Sequence, residues 1–226
     1  GLRALLKPGG VVSLEFPRVT ALVDGSQFDT IYHEHYSYLS LHSASSILER
    51  GGLAIFDVEE ISTHGGSLRV FAQHEATGIY EVSAAVPRLM QSERGHGVTT
   101  LSYYATLQGR AEHVKNGLLR FLLQCTESGA SLAAYGAAAK GNTLLNFAGV
   151  RSDLLPFVVD RSPSKIGKWM PGSRIPIFAE EAIPWSQPDY VVVLPWNIAD
   201  EVTEQLSYIR QWGGQFVQAI PSLEIW

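Results

Sequence analysis

The chain has 226 residues, of which 46% are hydrophobic, and this composition is typical of a soluble globular protein. Its 17 Lys and Arg against 22 Asp and Glu give a net charge of -5, which leaves no cationic surplus for neutralising a nucleic-acid backbone. Cys125 is the single cysteine, which excludes an internal disulfide and a cysteine-rich zinc site and favours a reducing, cytoplasmic setting. No apolar run approaches the roughly 20 residues of a membrane helix, so neither nucleic acid nor membrane is an expected partner.

The first third of the chain predicts the end of an α/β sheet. Residues 2–6 are typical of a helix end, a Pro-Gly turn follows, and residues 11–17 predict a buried strand. The segment 43–52 predicts a helix with an N-cap serine and a glycine stop, and strands are predicted over 53–61 and 67–74. A buried parallel strand needs neighbours. Because few residues precede this strand and the first residue is not methionine, we expect a segment of a longer protein.

The pattern changes along the rest of the chain. Apolar residues at helical spacing between about 80 and 127 predict helices that bridge two units. Short apolar runs then alternate with helical stretches, which is typical of a parallel, Rossmann-like α/β domain. Strands are predicted over 131–135, 157–160, 190–194 and 215–218, and helices over 143–148 and 198–212. The predicted domain segments are 1–78, 79–128 and 129–226.

A glycine-rich turn joins the first predicted strand of that domain to its first helix. Residues 136–143 read Gly-Ala-Ala-Ala-Lys-Gly-Asn-Thr, which resembles a dinucleotide fingerprint with Ala138 in place of its second glycine. Asp160 follows about where a ribose-binding acid belongs. Free N–H groups at such a turn can bind a phosphate. The turn does not match the loop of nucleoside triphosphatases, because Lys140 precedes Gly141 instead of following it. The alternative is a tight turn that binds nothing.

Several cations follow this turn in the sequence. They are Arg161, Lys165, Lys168 and Arg174. Cations near a glycine-rich turn can meet a diphosphate. The alternative is a solvated basic loop.

A second cluster of polar residues lies at 28–38, which reads Phe-Asp-Thr-Ile-Tyr-His-Glu-His-Tyr-Ser-Tyr. Histidine can remove a proton near neutral pH, tyrosine can donate to a developing oxyanion, and glutamate can orient an imidazole. A metal site on His33 and His35 needs a third ligand such as His42 or His64, for which the spacing gives no support. A polar loop with aromatic packing is the other interpretation.

These motifs resemble those of the sugar C-methyltransferases of deoxysugar biosynthesis. The Leu-Lys-Pro-Gly-Gly stretch at 6–10 and the helix-strand-strand pattern to residue 74 look like the late part of a class I S-adenosylmethionine (SAM) methyltransferase sheet. The runs 28–38 and 135–143 resemble the family's more specific signatures, so the resemblance spans nearly the whole chain. It implies a fold in which the C-terminal part of that sheet is followed by a helical bridge and a Rossmann-like domain.

The resemblance also implies a function. The family transfers a methyl group from SAM to a carbon beside the keto group of a thymidine-diphosphate (TDP) 4-keto-deoxysugar, through a base-generated enolate. His35 is the implied base, with Tyr32 and Glu34 beside it as further catalytic residues. The implied substrate-binding residues are His33, Tyr36, Gly136, Ala137, Lys140, Gly141, Asn142, Asp160, Lys168 and Arg174.

The family's remaining parts are expected upstream of this chain. The glycine-rich SAM loop and the cysteines of an N-terminal zinc-binding domain are both missing here, so no metal is expected in this chain. A Rossmann-like module for a nicotinamide dinucleotide or coenzyme A is the alternative function, and a purely structural interaction domain is a third. The identity of the deoxysugar, the methylated carbon, the stereochemistry and the choice between monomer and dimer stay open.

Overall fold

The computed structural model describes residues 1–226, which divide into two compact units. Unit 1 comprises residues 1–25 and 36–107, and unit 2 comprises residues 26–35 and 108–226. The segment 26–35 therefore belongs to unit 2, although both of its flanks belong to unit 1. No helix combines the length and the apolar character needed to cross a bilayer.

Unit 1 is built on a three-stranded sheet. Its strands are β1 (Val11–Pro17), β2 (Leu53–Ile61) and β3 (Ser67–His74), in the order β1-β3-β2. The middle strand β3 is antiparallel to both neighbours, and all three strands lie where the sequence predicts them. The helices of this unit are α1 (Leu2–Leu5), α2 (Val19–Asp24), α3 (Leu41–Arg50), α4 (Ala85–Gly95) and α5 (Leu101–Tyr104).

The helix predicted over 43–52 begins earlier than its sequence suggests. Its N-cap is Ser40, whose hydroxyl accepts from the main-chain N–H of Ser43 at 3.1 Å. The Ser43 hydroxyl in turn accepts from the N–H of Ser40 at 2.8 Å. Ser43 is thus the third helical residue of a capping box rather than the cap. The buried carboxylate of Glu93 accepts from the N–H groups of Leu41 and His42 and completes this helix start.

Unit 2 is a six-stranded sheet flanked by helices. Its strands are β4 (Leu132–Tyr135), β5 (Val158–Val159), β6 (Ile177–Phe178), β7 (Tyr190–Val193), β8 (Gln215–Gln218) and β9 (Glu224–Ile225). Its helices are α6 (Leu107–Ser128), α7 (Ala139–Ala148), α8 (Ala182–Ser186) and α9 (Ala199–Gln205). The strand order is β6-β5-β4-β7-β8-β9, and every pair except β8-β9 is parallel.

This order places a topological switch between β4 and β7. The chain leaves β4 towards β5 and β6 on one side and later returns to fill β7 and β8 on the other. In open parallel sheets the crevice beyond the carboxyl ends of two such strands is the usual ligand site. The glycine-rich turn that follows β4 therefore lies at the position where a doubly wound sheet binds ligands.

Some elements of unit 2 differ from the predicted ones. The helix predicted over 198–212 is α9 followed by a separate 3-10 turn at Ser207–Trp212. The helix predicted over 143–148 begins at Ala139. The predicted strands were found, but the two-residue strands β6 and β9 were missed.

The predicted helical bridge 79–128 is not a separate compact body. Residues up to Leu107 cluster with unit 1 and those from Gln108 cluster with unit 2. The physical reason is the apolar face of each helix: α4 buries Val86 and Leu89 in the core of unit 1, whereas α6 buries Leu118 and Leu122 in the core of unit 2.

Candidate functional site

The turn between β4 and α7 depends on two glycines. Gly136 has a φ of +93°, and a Cβ atom there would lie 2.6 Å from Cδ of Pro195. A Cβ atom on Gly141 would lie 2.7 Å from Cβ of Leu194. Contacts that close do not occur between real side chains, so only glycine lets the turn and the first turn of α7 lie against the end of β7.

Asp160 fastens this turn to the loop that follows β5. Its Oδ2 atom accepts from the N–H of Ala137 at 2.8 Å and from Nζ of Lys165 at 3.0 Å. Its Oδ1 atom accepts from the N–H of Ser162 at 2.8 Å. In a dinucleotide site the corresponding acid binds a ribose hydroxyl. Here the buried carboxylate bridges two loops of the protein, and Asp160 is outside the lining of the cavity beside this turn.

The segment 26–35 carries the histidine and tyrosine cluster into unit 2. The 3-10 turn Phe28–Thr30 is buried, and the ring of Phe28 meets that of Phe147 on α7 edge to face, with centroids 5.2 Å apart. His35 donates from Nδ1 to the carbonyl oxygen of Thr30 at 2.8 Å. Because a carbonyl only accepts, the neutral imidazole has its proton on Nδ1 and its lone pair on Nε2. The ring of Tyr32 lies against that of His35, with centroids 4.5 Å apart.

A cavity of about 340 Å³ lies in unit 2 where this segment meets the glycine-rich turn. Its lining includes Tyr32, His33, Ala137, Asn142, Lys168 and Trp169. The volume falls in the roughly 300–1,000 Å³ range of small-molecule sites. The structure thus brings together two motifs that lie far apart in the sequence.

The outer wall of this cavity is the segment 167–177, folded back on itself. Met170 and Ile175 are hydrogen-bonded through their main chains at 2.8 Å. The side chain of Asn146 donates from α7 to the carbonyl oxygen of Pro171 at 2.9 Å, and Arg151 donates to that of Gly172. These contacts fix the loop that holds Lys168 and the exposed ring of Trp169.

Lys140 has a different position from the one its motif suggests. It is buried, donates from Nζ to Oδ1 of Asn197 at 2.8 Å and lies 4.4 Å above the ring centroid of Trp196. Desolvation by burial lowers the pKa of this lysine, while the charge of Asp29 opposes that effect. Lys140 therefore lies in the interior behind the turn and does not line the cavity.

Asp29 is the partner of this buried cluster. It is fully buried, and its Oδ2 atom accepts from Nε1 of Trp196 at 2.8 Å. Desolvation raises the pKa of Asp29 to about 6, and the Trp196 hydrogen bond and the charge of Lys140 limit that rise. A fully buried carboxyl that carries such an electrostatic cost calls for a structural or functional reason.

Other predicted site residues lie outside the cavity lining. Glu34 is exposed, Tyr36 is 94% exposed and belongs to unit 1, and Arg174 is exposed with a left-handed φ of +56°. No three side chains of His, Cys, Asp or Glu lie close enough together to hold a metal ion.

Sequence reasoning missed several residues of this region. Trp169 lines the cavity, and Asp29, Trp196 and Asn197 form the cluster behind it. Two signals were available: an acid within the short stretch from Phe28 to Ile31, and a tryptophan and asparagine pair that follows the strand β7 after two residues.

A larger cavity of about 680 Å³ lies beyond the carboxyl ends of β7 and β8. Its lining includes the acids Asp200, Glu201 and Glu224. Three carboxylates repel a phosphate, whereas the smaller cavity has Lys165 and Lys168 in its lining. For an anionic ligand the smaller cavity is the better site.

Comparison with known proteins identifies the class to which this fold and site belong. Residues 62–221 match the family described as C-methyltransferase C-terminal domain, and the chain belongs to that family. Among curated proteins it is 37% identical over 221 residues to the C-methyltransferase NovU of Streptomyces niveus. The match covers 98% of this chain and 52% of NovU, so the chain spans about half the length of the curated relative it matches.

Methyltransferase activity implies SAM, and the kind of turn that binds such a nucleotide is a strand-to-helix connection, of which unit 1 has two. In unit 1, β1 is joined to α2 by Arg18 alone. The connection from β3 to α4 covers residues 75–84, and Gly78 is its single glycine. Neither connection is the glycine-rich turn that approaches a nucleotide backbone. The residues present do not fit the methyl donor, and none of them is assigned to it.

Proposed function

We propose that this chain is the substrate-binding half of a SAM-dependent C-methyltransferase that acts on a TDP-4-keto-deoxysugar. The proposal depends on one observation: the cavity at the glycine-rich turn is lined by Tyr32, whose ring lies 4.5 Å from that of His35. Tyr32, the proposed oxyanion donor, lines this site with its two lysines, while His35, the proposed base, contacts Tyr32 from outside the lining. The family membership and the similarity to NovU support methyl transfer to carbon.

The nucleotide end of the substrate fits the basic side of the cavity. Lys165 and Lys168 offer charge to a diphosphate, and the first turn of α7 offers main-chain N–H groups and its positive dipole. The exposed ring of Trp169 offers a face on which a thymine base can stack.

The sugar end requires a proton transfer. The carbon beside the keto group is acidified by that carbonyl, so its C–H bond can break with the proton moving to Nε2 of His35. The bonding electrons then form an enolate, whose oxygen the Tyr32 hydroxyl can stabilise by donating a hydrogen bond. Tyr32 and His35 thereby prepare a nucleophilic carbon, and the methyl transfer itself requires the donor site that this chain does not provide.

The dinucleotide alternative is less well supported. A ribose-binding acid needs oxygens directed at the ligand. Both carboxylate oxygens of Asp160 accept hydrogen bonds from the protein's own loops. The position that would select a nicotinamide dinucleotide therefore has a structural role.

Calorimetric titration of this 226-residue chain tests the ligand class. Thymidine diphosphate, NAD and S-adenosylhomocysteine are compared under identical conditions, with Lys168→Ala as the variant and Lys7→Ala, an exposed lysine of unit 1, as the control. We expect saturable binding of thymidine diphosphate alone, weakened in Lys168→Ala and unchanged in Lys7→Ala. Binding of NAD alone would contradict the proposal.

Hydrogen exchange tests the proton transfer. A C-methyltransferase that contains this chain is incubated with TDP-4-keto-deoxysugar in D₂O without SAM, and deuterium entry beside the keto group is followed by NMR. His35→Gln should slow this entry by about 10²- to 10⁴-fold, the usual contribution of a general base, without loss of substrate binding. Exchange at the original rate would mean that another group is the base.

A further inference from the structure

The segment that carries His35 is held within unit 2 by a polar cluster whose two charged residues are buried and whose tryptophan and asparagine are half-buried. This cluster comprises Asp29, Lys140, Trp196 and Asn197. Asp29 is 0% exposed and Lys140 is 6% exposed. Burying a carboxyl and an ammonium group costs free energy, so replacing them by apolar residues would be expected unless their geometry has a use.

The contacts of the cluster define that geometry. Trp196 donates from Nε1 to Oδ2 of Asp29 at 2.8 Å. Lys140 lies 4.4 Å from the ring centroid of the same tryptophan and donates to Oδ1 of Asn197 at 2.8 Å. One indole thus contacts both charged groups, and its Nε1–H holds one carboxylate oxygen of Asp29.

Asp29 directly precedes Thr30, whose main-chain carbonyl oxygen orients the ring of His35. The carbonyl oxygen of Thr30 accepts from Nδ1 of His35 at 2.8 Å and from the N–H of Tyr32 at 3.1 Å. Asp29 and Thr30 belong to the same 3-10 turn, Phe28–Thr30, so a side-chain contact that holds Asp29 also holds the turn whose last residue presents that carbonyl.

We propose that Asp29, held by the hydrogen bond from Trp196, is a positioning residue that keeps the His35 imidazole in its Nδ1–H tautomer. This places the lone pair on Nε2. The catalytic consequence rests on the proposed function of His35 as a base, whereas the tautomer itself is a property of this chain alone. Asp29 acts through Thr30 and does not touch the substrate.

Imidazole ¹⁵N NMR of the 226-residue chain tests the proposal directly. In Asp29→Ala the ratio of Nδ1–H to Nε2–H tautomer at His35 should fall by about threefold or more, because the Thr30 carbonyl loses its fixed direction. Asp29→Asn keeps an acceptor for Trp196 and should restore the ratio. Asp153→Asn, which removes an exposed carboxylate, should leave it unchanged.

A second variant covers the case in which Asp29→Ala does not fold. Trp196→Phe removes the Nε1 donor while keeping an aromatic ring, and it should lower the same ratio. An unchanged ratio in folded Trp196→Phe, or in folded Asp29→Ala, would overturn the proposal.

The two proposals fail separately. In a C-methyltransferase that contains this chain, Trp196→Phe should lower kcat with little change in the KM for the sugar nucleotide. If the tautomer shifts in Trp196→Phe but His35→Gln keeps its hydrogen exchange, His35 is not the base, and the positioning role of Asp29 stands. If the tautomer is unchanged in Trp196→Phe but His35→Gln loses its hydrogen exchange, Asp29 is not a positioning residue, and the role of His35 as the base stands.

Discussion

The Nδ1 atom of His35 donates to the carbonyl oxygen of Thr30 across 2.8 Å, within a segment of ten residues that belongs to unit 2. This contact is local in sequence, but the position of Thr30 is not. It depends on Asp29 and Trp196, whose hydrogen bond joins residues 167 positions apart. The chemistry proposed for the segment therefore relies on the fold of the C-terminal unit, and the cluster behind it makes that dependence measurable.

Protein stability should depend on pH through Asp29. The pKa of its carboxyl is raised from 3.8 to about 6 by desolvation, so the ionised form is less favourable in the folded state. A raised acid pKa leaves the free energy of unfolding unchanged below about pH 3.8 and lowers it as the pH rises towards 6. Between pH 4.5 and 7.5 the wild type should lose about 2 kcal/mol of unfolding free energy relative to Asp29→Asn.

Urea denaturation at a series of pH values measures this difference. Asp153→Asn removes an exposed carboxylate from the same unit, and its curve should stay parallel to that of the wild type. Parallel curves for Asp29→Asn and wild type would show that folding does not raise the pKa of Asp29.

The glycine-rich turn should be intolerant of a side chain at Gly136. Its φ of +93° strains any other residue by about 1–2 kcal/mol. A new Cβ atom would also lie 2.6 Å from Pro195, and overpacking of that kind costs about 1–3 kcal/mol more. Gly136→Ala should therefore lose about 2–5 kcal/mol of unfolding free energy in urea denaturation.

Gly149→Ala is the matched control for this substitution. Gly149 follows α7 with a φ of +70°, and nothing lies within 4 Å of a Cβ atom there. It should lose only the backbone contribution of about 1–2 kcal/mol. Equal losses in the two variants would mean that Pro195 gives way without cost.

The strands were predictable because their apolar runs stand out from the surrounding chain. β1, β2 and β3 have the predicted bounds, and β4, β7 and β8 lie within a residue of theirs. The two-residue strand β6 was not predictable, since it pairs only because the loop after β5 returns beside it. Short strands of this kind are a product of tertiary contacts rather than of local pattern.

The composition of the site was partly readable, but its assembly was not. The cluster at 28–38 and the turn at 136–143 stood out in the sequence, and their residues Tyr32 and Asn142 line one cavity. Nothing local indicated that the lysine of the turn points inward to Asn197. A charged residue in a motif is expected to face the ligand, and burial among residues distant in sequence overrides that expectation here.

The packing of α7 on β7 should likewise exclude a side chain at Gly141. A Cβ atom there would lie 2.7 Å from Cβ of Leu194, which is itself buried at the strand end. Alanine favours a helix over glycine by up to about 1 kcal/mol, so helix propensity alone would raise the free energy of unfolding of Gly141→Ala. A decrease would instead show that the packing against Leu194 decides the outcome. Gly141→Ala should lower the free energy of unfolding by about 1–3 kcal/mol.

At Gly117, in the middle of α6, we expect alanine to stabilise the protein instead. Its nearest contact would be Cβ of Leu223 at 3.9 Å, an ordinary van der Waals distance. Gly117→Ala should raise the free energy of unfolding by about 0.5–1 kcal/mol. A stabilising Gly141→Ala would show that α7 can move away from the sheet.

The outer wall of the cavity should depend on Asn146. Its side chain donates to the carbonyl oxygens of Pro171 at 2.9 Å and Asn142 at 2.8 Å, which joins the wall to α7. Both partners line the cavity. Asn146→Ala should lose about 1 kcal/mol of unfolding free energy, the usual net value of such a contact. Because the wall carries Lys168 and Trp169, the affinity for thymidine diphosphate should fall about fivefold, as calorimetry can measure.

Asn116→Ala provides the comparison for this wall. Asn116 is an exposed residue of α6, so its loss removes an amide of the same size without touching the cavity. Its stability and its affinity for thymidine diphosphate should match those of the wild type. If Asn146→Ala were less stable but bound the nucleotide with unchanged affinity, the segment 167–177 would be a structural loop and the diphosphate would have to bind on the other side of the cavity, near Tyr32 and the first turn of α7.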